Sequence, residues 1–94
     1  MEEYIGTILQ FGFNFEPRGW MFCHGQTLAI TTNQALFALI GINFGGNGVN
    51  TFQLPDLRKK NKDGKYYQVG EIMEDGTPYI ESYICTMGIF PPRS

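Results

Sequence analysis

The chain has 94 residues, a formal net charge of −2, 43% hydrophobic and only 17% charged residues. That is the size of one domain, read here as 1–94, whose core hides about 60–65% of the surface that the unfolded chain exposes. The composition excludes a disordered polypeptide, and the negative balance gives no general attraction to nucleic acid or anionic lipid.

Eight Phe, five Tyr and one Trp are more rings than so small a core readily hides. Some are expected in contacts between proteins, where rings bury much area at low entropic cost. No apolar run reaches the length of a membrane span. The start, Met1-Glu2-Glu3-Tyr4, lacks the basic and apolar regions of a classical signal peptide.

In chain order, residues 4–13 read as a strand, with Ile5, Leu9, Phe11 and Phe13 on one face at period two and Phe15 continuing the phase. Pro17-Arg18-Gly19 reads as a turn and Trp20 to Cys23 as a short buried strand. His24-Gly25-Gln26 turns again, and Leu28 to Ile30 is a brief extended stretch. A helix is expected over 32–40. Thr31 and Gln34 have capping-box spacing, Leu36, Leu39 and Ile40 form the apolar stripe, and Gly41 is the stop.

Phe44 to Gly48 reads as a flexible glycine loop, and 57–72 as a hairpin turning at Asp63-Gly64. Asp75-Gly76 marks a further turn. Tyr79 to Phe90 reads as a long closing strand, apolar on both faces and therefore central or covered on both sides. Trp20, Phe22, Leu36, Phe37, Phe52 and Leu54 are the expected core. The fold class is α+β: a small, twisted, mostly antiparallel sheet carrying one short helix.

Candidate chemistry is sparse. The one histidine, His24, adjoins Cys23, but strand neighbours point to opposite faces and do not share a proton. A metal at His24 lacks further ligands within one chain. It would need several copies of His24 gathered on an oligomer axis. The pairs Glu2-Glu3 and Glu74-Asp75 read as solvated acids. Asp56 reads as a turn former whose carboxylate takes local backbone N–H groups. Gly45-Gly46-Asn47-Gly48 lacks the ending of a phosphate loop.

Arg58, Lys59, Lys60, Lys62 and Lys65, followed by Tyr66 and Tyr67, could track a nucleic-acid strand. A solvated hairpin tip is the preferred reading, because the net charge is negative and lysines discourage edge pairing. Cys23 and Cys85 are expected as buried free thiols. A bond between them would close a long loop and contribute roughly 4 kcal/mol. No catalytic, cofactor or metal residue is assigned.

Several segments, taken together and in order, resemble one family. Pro17-Arg18-Gly19-Trp20-Met21-Phe22-Cys23-His24-Gly25-Gln26 resembles the opening motif of the phage tail collar domain, and Asn33 to Gly41 its helix. Phe44 to Gly48 is similar to its glycine loop. Thr51-Phe52-Gln53-Leu54-Pro55-Asp56-Leu57-Arg58 resembles its Phe-x-Leu-Pro-Asp-Leu-Arg signature. Tyr83 to Pro91 resembles the closing strand of small bacterial relatives, the microcystin-dependent proteins.

The resemblance implies a structural, non-enzymatic part in fibre assembly, often as a trimer. Two departures stand out. Lys59-Lys60-Asn61 leads into a compact hairpin where the family has a longer variable stretch, and His24 replaces the usual acid or Asn.

The expected partner is therefore the chain itself, as a trimer or filament, together with other fibre or surface proteins. Phe11, Phe13, Tyr66 and Tyr67 are the candidate contacts between copies. The expected location is a virion or a cell surface. A bacterial extracellular filament or adhesion subunit of the same fold is one alternative, and a receptor- or glycan-binding tip another.

Overall fold

The computed structural model describes residues 3–92. The elements are β1 (Ile8–Phe11), β2 (Trp20–Phe22), β3 (Thr27–Ala29), α1 (Gln34–Ile40), β4 (Thr51–Gln53) and β5 (Glu81–Cys85). One sheet has the order β1-β5-β2 and a second pairs β3 with β4. Every strand pair is antiparallel, so the α+β reading holds.

β5 is the centre of the molecule. Leu9 lies opposite Tyr83, and Met21 opposite Ile84. Alternation along β5 sends Ile84 to one face and Tyr83 and Cys85 to the other. On the first face, Ile84 joins Ile5, Cys23, Leu36, Phe52 and Leu54, and α1 covers it through Leu39 and Ile40. On the second, Tyr83, Trp20 and Cys85 pack against Leu9, Phe11, Phe13 and Phe22. The two faces explain why β5 reads as apolar throughout.

The second face is mostly rings. Phe11, Phe13 and Phe15 stack in series at 4.9 and 4.6 Å between centroids. Trp20 meets Phe11 edge-on at 5.3 Å, a geometry that suits the ring quadrupoles. The Tyr83 hydroxyl, inside this cluster, donates to the Phe13 carbonyl at 2.6 Å. Cys23 and Cys85 are both buried free thiols, one in each cluster.

Four local expectations are corrected. The closing strand spans Glu81–Cys85, shorter than the expected Tyr79 to Phe90, because the backbone bends at Met87-Gly88. The helix begins at Gln34, with Asn33 in the cap position, so Thr31 does not cap it. The Asn33 amide instead donates to the Ala29 carbonyl at 2.9 Å and to Thr32 Oγ1, closing the turn that leads in. β1 spans four residues, shorter than 4–13, because the backbone turns at Ile5-Gly6 and bends from Gly12 onward. The stretch 57–72 is not one hairpin. A Lys60–Tyr66 bridge closes a first turn, and an Ile72–Pro78 bridge closes a second around Asp75-Gly76. Among the described residues no helix is long and apolar enough to cross a membrane.

Candidate functional site

The two sequence motifs that stand out most, 17–26 and 51–58, are adjacent in space. β3 and β4 pair with Leu28 opposite Phe52, and the pairing continues past the strand ends. The Leu54 N–H donates to the Gln26 carbonyl (3.0 Å), the Gly25 N–H to the Pro55 carbonyl (3.2 Å), and the Leu57 N–H to the Cys23 carbonyl (2.9 Å). His24 and Asp56 form an antiparallel bridge within this run. The motifs are thus two sides of one ribbon.

The side chains on the ribbon form a clasp. Asp56 accepts the Arg58 backbone N–H at 3.2 Å, as a turn former does. It also takes Arg58 Nε on Oδ1 at 2.9 Å and Nη2 on Oδ2 at 2.7 Å, a bidentate pair. Arg58 Nη2 reaches across to the His24 carbonyl at 3.0 Å. The side-chain hydrogen bonds from Arg58 hold the Asp56 carboxyl down at about 2, and the same bonds raise Arg58. The guanidinium lies 3.9 Å from the centre of the Tyr66 ring, on which Lys60 also sits at 4.9 Å. Arg58 is therefore no part of a solvated cationic tip.

His24 completes the clasp. Its ring stacks on Phe22 at 4.7 Å and 7°, and Nε2 lies 3.0 Å from Glu81 Oε1. The Tyr79 hydroxyl donates to the same carboxylate oxygen at 2.9 Å. Burial, reinforced by that hydrogen bond, raises Tyr79. Tyr67 stacks on Tyr79 at 6.3 Å, which ties the first hairpin to the clasp.

The outer edge of β2 is covered by the chain's own side chains. The Phe22 N–H donates to Glu16 Oε2 at 2.9 Å, and Gln26 Nε2 donates to the Phe22 carbonyl at 2.8 Å. Gln26 Oε1 takes the His24 N–H at 3.0 Å. The glycine loop is equally tied down. Asn47 Oδ1 accepts the N–H groups of Val49, Asn50 and Thr51. At Gly46, with φ 98°, an added Cβ would meet the Thr51 carbonyl at 2.7 Å and the Phe52 Cα closer still, so the loop's fit against β4 requires glycine.

Chemically, this arrangement binds the chain to itself. Burial, followed by the charges of Glu81 and Asp56, pushes the Cys23 thiol up to about 12, so it is a poor nucleophile at neutral pH. His24 Nε2 is engaged by Glu81, whose role nothing in the local sequence signals. Of the four residues expected between copies, Phe11 and Phe13 are half-buried in the ring cluster, Tyr67 is half-buried on Tyr79, and Tyr66 is exposed. Other large apolar side chains reach the surface: Val49 is 83% exposed, Met87 67% and Phe15 60%. A groove of about 600 Å³ lies between Glu3, Tyr4, Ile89, Phe90 and Pro92.

The family model for the phage tail collar domain matches residues 6–61, more than half of the chain. It spans both sides of the ribbon, the helix and the glycine loop. The segment 83–91 lies outside the match. No curated protein matches the chain. With its two signature motifs paired and its glycine loop seated on β4, the chain belongs to the phage tail collar domain family, a family of tail structural modules.

Proposed function

We propose that the domain is a self-assembling, non-enzymatic module of a phage tail fibre, collar or tail-like particle, located in the virion. The observation that carries this reading is the placement of large apolar side chains. Val49, Met87, Phe15 and Ile72 stand in solvent although the chain has two packed core clusters to receive such residues. Isolated exposed apolar residues are ordinary, but several on a domain this small favour contact with further protein surface. Tyr66, 38% exposed and in contact with Arg58 and Lys60, is a further candidate for contact with a neighbouring copy.

The clasp supports the same reading. It engages Arg58, Asp56, His24 and Glu81 in contacts within the domain. Electron microscopy of the purified protein at high concentration tests the proposal. Discrete oligomers or filaments are the expected result. A uniform field of single domains, with turnover of any substrate that depends on His24 or Cys23, would contradict it.

A further inference from the structure

The β1-β5-β2 sheet has two edges, and they are finished differently. On the β2 side, Thr86 donates to the Gly19 carbonyl and Cys23 to the Ser82 carbonyl, so the Phe22 backbone groups between them point outward. Both are satisfied: Glu16 takes the N–H and Gln26 covers the carbonyl. Beyond them, Gln26 takes the His24 N–H and Arg58 the His24 carbonyl. No strand can add there without displacing them.

On the β1 side, Cys85 donates to the Thr7 carbonyl, so Thr7, Leu9 and Phe11 face β5. The N–H and C=O groups of Ile8 and Gln10 therefore face away. Among the described residues no hydrogen bond reaches them. Ile8 is 41% exposed, Gln10 is exposed, and an added Cβ at Gly12 would meet open space. From Tyr4 to Asn14 there is no charged residue and no proline, two of the devices that normally protect an edge.

We infer that β1 is an edge for strand addition and that its occupant is β1 of a second copy, antiparallel, about a twofold axis at Leu9. This deepens the self-assembly reading and rests on it. The open strand is chemically its own complement. With Ile8 of one copy opposite Gln10 of the other, the outward N–H and C=O groups of both residues are paired. Leu9 faces Leu9 of the second copy, and within the paired strands no like charges are brought together. A head-to-tail chain of sheets through β1 and β2 is blocked by Glu16 and Gln26. The contact is therefore isologous and closes on itself, giving one sheet of order β2-β5-β1-β1-β5-β2 with both ends capped. Larger assemblies must use other surfaces.

The test is amide exchange combined with a charge swap. In the assembled protein, the Ile8 and Gln10 amides are expected to exchange about 100-fold more slowly than in the dilute monomer. The double variant Ile8→Lys with Gln10→Lys places like charges across the axis and should lose this pairing, as should Ile8→Glu with Gln10→Glu. Circular dichroism checks that each variant is folded. Mixing the two should restore the slow exchange through opposite charges, which loss of folding could not do. An assembled wild-type protein whose Ile8 and Gln10 amides exchange freely would overturn the edge pairing and leave self-assembly standing. A protein that stays monomeric overturns both. A mixture of the variants that does not restore protection also counts against the edge.

Discussion

Residues 20–58 and residues 59–78 are built on different principles. In the first, local turns at Asn33 and Asn47 are joined by bonds to distant residues: Gln26 to Leu54, Cys23 to Leu57, His24 to Glu81. In the second, the bonds are local. Asn61 Oδ1 takes the Asp63 and Lys65 N–H groups, Asp75 takes the Thr77 N–H and hydroxyl, and Ile72 is 64% exposed. Tyr67 on Tyr79 and Arg58 under Tyr66 join the two. The family match ends at residue 61, close to where the construction changes. The framework is expected to carry more of the stability than the hairpins, whose bonds are local.

The sharpest test of that contrast is Phe52→Ala. Phe52 is fully buried between α1 and β5, and its loss should cost about 3–5 kcal/mol, read from the urea midpoint. That is a large share of a small domain's total stability, so the variant is measured at low temperature. A cost no larger than that of a hairpin substitution would erase the distinction. Next comes Arg58→Ala, which frees Asp56, the His24 carbonyl and one face of Tyr66. A loss of about 1–2 kcal/mol is expected, with Arg58→Lys recovering little because it cannot make the bidentate contact.

Acid probes the same clasp. Asp56 is depressed from 3.8 to about 2 in the folded state, so its contribution is complete above 3.8 and disappears as the pH falls toward 2. The carboxylate is 41% exposed, and after allowance for solvent screening the contribution is about 1 kcal/mol or less. Asp56→Asn should flatten that part of the acid-side stability curve. An unchanged curve would remove the pair from the framework. The smallest effect is expected from Asp75→Ala in the second hairpin. Amides at Gly76 and Thr77 should exchange faster while the global unfolding midpoint stays put.

Much of the framework was legible in the sequence because its signals are local. Period-two rings marked the second core face, the stripe at Leu36, Leu39 and Ile40 marked the helix, and the two-sided apolar pattern marked β5 but not its end at Cys85. Glycine and proline placed the turn before Trp20, where Gly19 has φ 85°. The capping box failed because a turn closed by Asn33 and Ile30 occupies the residues that Thr31 would need. The clasp was illegible for a different reason. Asp56 was readable as a turn former, but Glu81 meets His24 from the far end of the chain, and Arg58 sits in a run of cations that composition alone assigns to solvent. Which strand edge is open depends on Glu16 and Gln26 folding back on β2, and no spacing rule announces that.

Sedimentation equilibrium over a wide concentration range tests the central claim, assembly through exposed apolar and edge surfaces, most directly. A mass that rises above the monomer with concentration is the predicted result. A monomer mass throughout, at the highest concentration reached, would contradict it.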